Sequence, residues 1–257
     1  MKDALPQTIY LQDYKVSPFE IEKTDLVFDL GNDHSRVIAT LTVQRNPLSE
    51  EQDADLVLQG SEGLDLQSIS VDGQRLEEGA YSCDSESLTI SGLAQRAIIT
   101  TEVLIKPQDN TTMMGLYRSR TMYCTQCEAE GFRDITYYLD RPDVMSEFTT
   151  QVIADKAQYP VLLSNGNPIE RGELDGGRHF VIWHDPFKKP AYLFALVAGT
   201  LSCVEDSFTT MSGRQVALQI FVEEKDLDKC AHAMLSLKHS MRWDEETYGR
   251  EYDLDIF

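Results

Sequence analysis

The hairpin-forming sequence FEIEKTDLVFDL, residues 19–30, sets the architecture of this chain. Its apolar side chains are interrupted by charged ones with a period close to two, which is typical of a β-strand with one buried face. The turn residues Gly31-Asn32-Asp33 follow, and a second apolar-polar stretch, VIATLTV, occupies residues 37–43. This pattern predicts a β-hairpin.

Further β-prone stretches lie on the C-terminal side of this hairpin. The strongest is AIITTEVLI, residues 97–105, and Asp72-Gly73 is a typical hairpin turn. Closely spaced strands without intervening helical periods predict a mainly β fold, with antiparallel sheets packed as a β-sandwich. The other predicted strands cover residues 56–58, 66–71, 88–90, 148–154, 161–163, 180–183, 192–198 and 216–222.

The sequence period changes near the C-terminal end. Apolar residues recur at helical spacing over residues 227–244, which predicts one long helix. Gly199-Thr200 precedes this change and is a plausible domain boundary. Because 257 residues exceed one average domain, we predict a β domain at residues 1–200 and the start of a second unit at residues 201–257. The predicted buried face of the helix contains Leu227, Ala231, Met234, Leu235 and Met241.

The composition limits the classes of partner. With 43 acidic and 23 basic side chains, the formal net charge is −20. Such a charge repels phosphate backbones and anionic membrane surfaces, so we predict neither a nucleic-acid nor a membrane partner. A cationic ligand, such as the free amine of a peptide, would be attracted.

The N-terminal residues lack the apolar run of a signal peptide, which predicts a cytoplasmic location. The five cysteines are expected to be reduced thiols.

The motif Cys124-Thr125-Gln126-Cys127 leaves two interpretations open. Its thiols could ligate a metal or exchange disulfides, or they could be two buried or half-buried structural thiols. No second CxxC and no H-E-x-x-H pair occurs to complete a zinc site. We therefore predict no metal ligand and no catalytic residue in this chain.

Gln126 and Glu128 are candidate substrate-binding residues. They are two positions apart, so both would project from one side if this stretch is extended. A carboxylate can hold an ammonium group by a charge-assisted hydrogen bond, and a neighbouring amide can add a further contact. The alternative is a polar loop in which Glu128 and Glu130 pair with Arg133 or Arg141.

Several segments resemble, in the same order, the N-terminal part of the bacterial aminopeptidase N family of zinc-dependent aminopeptidases. The resemblance covers nearly the whole chain. It is carried by CTQCEAEGFRDITYYLDRPDVMSEFTT at residues 124–150, AQYPVLLSNGN at 157–167, DPFKKPAYLFALVAG at 185–199 and WDEETYGREYDLDIF at 243–257.

This resemblance implies a saddle-like N-terminal β domain, followed by the opening strands and first long helix of a thermolysin-like α/β catalytic domain. In the family, the glutamine and the acidic residue of the first segment reach into the active-site cleft, where the acidic residue binds the free α-amino group of a peptide. These positions match Gln126 and Glu128. The expected partners are therefore peptide substrates with a free N-terminal amine and the remaining catalytic domain.

The family's G-x-M-E-N segment and H-E-x-x-H zinc motif do not occur in these 257 residues. The resemblance places the zinc ligands of the full-length enzyme beyond Phe257. We therefore interpret the chain as a truncated piece of such an enzyme, which binds no zinc and is inactive alone. The alternative from another class is a stand-alone β-sandwich module that binds a protein partner without catalysis.

Overall fold

The computed structural model describes residue 8 and residues 10–257. The N-terminal segment on which the predicted cytoplasmic location rests lies at residues 1–7, outside the described residues. One α-helix, α1 (Cys230–Tyr248), follows the strands in the described chain. The strands are β1 Phe19–Asp29, β2 Ser35–Arg45, β3 Leu56–Gln59, β4 Asp65–Val71, β5 Gln74–Arg75, β6 Ser82–Cys83, β7 Ser87–Ile90, β8 Arg96–Ile105, β9 Gly115–Ser119, β10 Met122–Gln126, β11 Met145–Asp155, β12 Val161–Ser164, β13 Asn167–Leu174, β14 Arg178–Pro190, β15 Leu196–Gly199, β16 Ser202–Thr209 and β17 Gln215–Val222.

The largest sheet has eight strands in the order β13-β14-β11-β1-β2-β8-β4-β5. The predicted hairpin is present, because β1 and β2 are antiparallel with Leu26 opposite Ala39. β1 and β11 are parallel, however, with Lys23 opposite Glu147. Parallel neighbours require a long crossover, which β2 to β10 and their connections provide here. The mainly β prediction is confirmed, and the large sheet is mixed rather than wholly antiparallel.

Two smaller sheets share one hydrophobic core with the large sheet. Their strand orders are β12-β15-β10-β9 and β3-β7-β6. Every second side chain of β2 is buried, which is the pattern expected when one face of a strand packs on a core. An aromatic cluster lies at the centre, with neighbouring ring centroids 4.7–6.3 Å apart. Its members are Phe28, Phe132, Tyr138, Phe148 and Phe194.

Helix α1 and the hairpin β16-β17 surround a second, smaller cluster of buried side chains. The predicted long helix is present, although it begins at Cys230, after a 3₁₀ turn at Glu224–Lys229. It ends at Gly249, whose φ of 62° is the left-handed conformation that commonly terminates a helix. Met234 and Met241 are buried, but Leu235 is 51% exposed, so the predicted buried face was too wide. The boundary between residues 200 and 201 stays a prediction.

The apolar run at residues 192–198 is not one strand. The chain forms a 3₁₀ turn at Ala191–Leu193, and the strand β15 begins only at Leu196. A continuous apolar run carries no period, so the sequence cannot separate strand from turn there. Within the described part of the chain, no helix has the length and apolar character needed to cross a membrane.

Candidate functional site

Strand β10 carries Gln126 to its C-terminal end, and Glu128 lies in the turn that follows. Both residues are exposed, and the Gln126 side-chain Nε2 donates a hydrogen bond to the backbone carbonyl of Glu128 at 3.1 Å. The peptide bond between Glu128 and Ala129 is cis. The strand β10 ends at Gln126, so the strand alternation considered from the sequence does not extend to Glu128. The turn instead brings the backbone carbonyl of Glu128 beside the Gln126 side-chain amide.

The turn packs closely against strand ends. The backbone N–H of Gly131 donates to the Cys127 carbonyl at 2.8 Å. A Cβ atom at Gly131 would lie 2.5 Å from the Gln126 carbonyl oxygen, so this close approach requires glycine. Gly115 in β9, with φ of 70°, would similarly place a Cβ atom 2.7 Å from the Asp134 Cβ. These contacts give the segment that carries Glu128 a defined position beside β9 and β10.

The cations near this turn have other partners than Glu128. Arg133 lies 3.3 Å from the Glu130 carboxylate and 3.0 Å from Asp140, while Arg141 pairs with Asp143 at 2.7 Å. The Glu128 carboxylate makes no ion pair and no hydrogen bond within the described residues. The polar-loop alternative is therefore observed for Glu130, whereas the Glu128 carboxylate remains available to solvent.

Asp140 is a buried carboxylate beneath this turn, with a side chain that is 2% exposed. Burial raises its pKa, although the hydrogen bonds from Arg133 act in the opposite direction. This pair could not be predicted from the sequence, because Arg133 and Asp140 are seven positions apart and belong to no regular element together. Spacing along the sequence suggests only the two nearby glutamates, Glu128 and Glu130, as partners of Arg133.

The CxxC thiols lack the environment of a redox motif. All five cysteines are free; Cys127 is buried, and burial raises the pKa of its thiol. A reactive thiol needs the opposite effect, because the thiolate is the nucleophile. Cys124 lies within β10 and not at a helix N-terminus, and its hydrogen bond with Tyr117 raises the pKa of that tyrosine. These surroundings favour the interpretation of Cys124 and Cys127 as structural thiols.

The described residues contain no group of three or more His, Cys, Asp or Glu side chains placed to hold a metal ion. No set of zinc ligands can therefore be assigned within this part of the chain. Neither Gln126 nor Glu128 lines any of five surface cavities in the same part of the chain. The two candidate residues lie on an open surface at the end of the four-stranded sheet.

The chain matches the Peptidase M1 N-terminal domain over residues 27–193. It is 53% identical to aminopeptidase N of Caulobacter vibrioides over 257 residues and 50% identical to that of Escherichia coli over 252 residues. These alignments cover 100% and 98% of this chain. The chain spans only 29% and 28% of the length of the two relatives.

Solved structures agree with this relationship. The crystal structure of Legionella pneumophila aminopeptidase A in complex with aspartic acid superposes with a TM-score of 0.89 at 37% identity, covering 96% of this chain and 29% of that one. An M1 zinc metallopeptidase from Deinococcus radiodurans has a TM-score of 0.78 at 14% identity, covering 95% of this chain and 56% of that one, and supports the fold alone. The chain therefore belongs to the M1 peptidase family and contains its N-terminal domain.

Proposed function

We propose that this chain is the substrate-recognising N-terminal region of an aminopeptidase that removes N-terminal residues from peptides. In this proposal, the Glu128 carboxylate binds the free α-amino group of the substrate, and Gln126 assists it. The observation that carries the proposal is the exposed carboxylate of Glu128, which has no ion pair in the described chain although Glu130 nearby has one.

The chemistry of this carboxylate suits an amine anchor. An ionised carboxylate accepts charge-assisted hydrogen bonds from an ammonium group, and these are stronger than bonds between neutral groups. The formal net charge of −20 also favours the approach of a cationic ligand. The Gln126 amide donates to the Glu128 carbonyl, so it steadies the backbone from which the carboxylate projects. An amine anchor restricts cleavage to the first residue, because a bound peptide without a free amine would exclude water from the carboxylate and leave it unpaired.

We expect zinc in the full-length enzyme because of the family, and we assign no zinc ligand to the described residues of this chain. The described residues do not fit a metal site, so we assign no zinc-dependent step to them. We expect the 257-residue chain alone to hydrolyse no aminoacyl-arylamide, and the full-length product of its gene to do so. The predicted second unit at residues 201–257 would then be the first part of the catalytic domain. In the full-length enzyme, the β domain would pack against this catalytic domain.

The test is the substitution Glu128→Ala in the full-length product of the gene. A charge-assisted hydrogen bond contributes about 1.5–3 kcal/mol, so kcat/KM for a free-amine arylamide substrate should fall by roughly 10- to 150-fold. Gln126→Ala should act in the same direction with a smaller effect, because an amide provides no charge. Steady-state kinetics with the free-amine substrate and its N-acetylated analogue measure both effects.

Glu130→Ala is the matched control, since it removes an exposed carboxylate two positions away that pairs with Arg133. It should leave the preference for a free amine unchanged. Wild-type kinetics in Glu128→Ala would contradict the anchor role. A full-length product without arylamidase activity would reject the enzyme proposal and favour a stand-alone binding module.

A further inference from the structure

The turn after β10 contains one cation among several carboxylates. Within residues 126–140, Arg133 is the only basic side chain, whereas Glu128, Glu130, Asp134 and Asp140 are acidic. Arginine has a long, permanently charged side chain that matches carboxylates well. Arg133 is therefore the nearest competitor, along the sequence, for any ammonium group that binds Glu128.

The structure shows what occupies this arginine. Asp140 Oδ2 accepts hydrogen bonds from both the backbone N–H and the Nε of Arg133, at 3.1 and 3.0 Å. Arg133 Nη2 donates to the Asp140 carbonyl at 3.1 Å. Three hydrogen bonds thus join Arg133 to one buried residue. The hydrogen bonds between Arg133 and the buried Asp140 carboxylate are expected to be strong, since charge-assisted bonds are strongest where water is excluded.

Asp140 is itself held in position. Its backbone N–H donates to the Gln59 side-chain oxygen at 3.0 Å, next to the backbone pairing of Gln59 with Tyr138. Gln59 thus holds the backbone of Asp140 in place, while Arg133 binds the Asp140 carboxylate. Arg133 also lies 3.3 Å from the Glu130 carboxylate, so its guanidinium reaches one exposed acidic residue of the turn, two positions from Glu128.

We propose that Asp140 is a positioning residue that holds the Arg133 guanidinium away from Glu128, so that the Glu128 carboxylate remains available for an ammonium group. The inference rests on the proposed function of Glu128. Asp140 is not proposed to touch the substrate; it acts by binding Arg133, the basic residue nearest to Glu128 along the sequence.

Asp140→Asn in the full-length product of the gene tests this role. The amide keeps the size of the side chain but removes the charge that holds Arg133, which then competes with the substrate for Glu128. We expect KM for a free-amine arylamide to rise about tenfold, with kcat within about twofold of wild type. Glu130→Gln is the matched control, because it leaves the Asp140 bonds to Arg133 in place, and its KM should stay within about twofold of wild type.

The double variant Asp140→Asn/Arg133→Gln separates competition from simple structural damage. If the freed arginine blocks Glu128, its removal should restore KM toward the wild-type value. If Asp140 only supports the turn, the double variant should be at least as impaired as the single one, and that result overturns the proposal. Should Asp140→Asn not fold, Arg133→Gln alone serves as the test: the proposal expects a KM close to wild type, and a tenfold rise would contradict it.

The Glu128→Ala background distinguishes the two levels of the hypothesis. If Glu128→Ala does not alter free-amine preference, the amine anchor itself is wrong. If Glu128→Ala does alter it but Asp140→Asn leaves KM unchanged, only the positioning role is wrong. If the amine anchor and the positioning role are both correct, Asp140→Asn should raise KM little further in the Glu128→Ala background. The effects of two residues that act through one another are not additive.

Discussion

The β region at residues 10–199 and the C-terminal region at residues 202–257 are built on very different cores. The first joins three sheets around a cluster of aromatic rings, and Phe28 and Phe148 are essentially inaccessible to solvent. The second places a two-stranded hairpin and one helix around a few side chains, including Met234 and Met241. A two-stranded sheet is only marginally stable by itself. The comparison indicates that the two regions contribute unequally to the free energy of unfolding.

The surface of the C-terminal region also indicates a lower local stability. Leu235, Trp243 and Tyr248 of α1 are each more than half exposed. One contact with the β region is polar: the Asp255 N–H donates to the Asn167 side-chain oxygen at 2.9 Å. Local unfolding is expected where buried apolar contacts are few. We therefore expect the C-terminal region to open at a lower free-energy cost than the β region.

The largest effect is expected from Phe28→Ala in the β region. The Phe28 ring is fully buried and lies 5.7 Å from the ring of Phe194. Removing it leaves a cavity, which should lower the free energy of unfolding by about 3–5 kcal/mol in chemical denaturation. The control Phe187→Ala removes a ring that is 46% exposed and should have a much smaller effect. Equal effects would contradict the view that the aromatic cluster dominates stability.

A smaller and more local effect is expected from Met241→Ala in α1. Met241 is 6% exposed and packs in the C-terminal cluster, so the loss should be about 2 kcal/mol. Hydrogen exchange should accelerate in α1, β16 and β17 and stay unchanged in β1, β2 and β11. Leu235→Ala on the exposed side of the same helix is the control. Uniform acceleration throughout the chain would mean that the two regions unfold together.

The smallest effect is expected from Tyr138→Phe. The Tyr138 hydroxyl is buried, with Thr24 Oγ1 and Ser146 Oγ both at 2.9 Å, and its loss should cost about 1 kcal/mol at neutral pH. Burial raises the pKa of Tyr138 to about 12, and that of Tyr123 to about 12 as well.

The raised pKa also determines the sign of the alkaline response. As pH rises from about 10 toward 12, the unfolded tyrosine loses its proton while the folded one keeps it, so the free energy of unfolding falls through this window. Urea denaturation at several pH values should show this fall in the wild type and a shallower one in Tyr138→Phe. If the free energy of unfolding fell equally with pH in both proteins, Tyr138 would not be the cause of the alkaline loss of stability.

The central strands were predictable because each has one buried face, which imposes a period of two on its own residues. The hairpin of β1 and β2 and the strand β8 follow this rule. β13 was missed because it is an edge strand with exposed charged residues such as Glu170 and Glu173, so its sequence lacks the alternation. The parallel pairing of β1 with β11 was also missed, since periodicity says nothing about which strands become neighbours.

The candidate site divides in a similar way. Gln126 and Glu128 could be named from residue chemistry and from the family resemblance, but their arrangement could not, because strand geometry ends at Gln126. Which carboxylate takes Arg133 was likewise undetermined: spacing offered Glu128 and Glu130, while the folded chain adds Asp140.

The two candidate residues, which stay a prediction, rest on the family resemblance as well as on their own chemistry. Local pattern and composition were sufficient for the mainly β character, the C-terminal helix and the acidic net charge. These properties depend on each residue's own chemistry and on its near neighbours along the chain. Sheet order, the unequal cores and the pairing of Arg133 with Asp140 arose only when distant segments met. Their physical reason is that burial and charge pairing depend on distances in space, which no spacing along the sequence specifies.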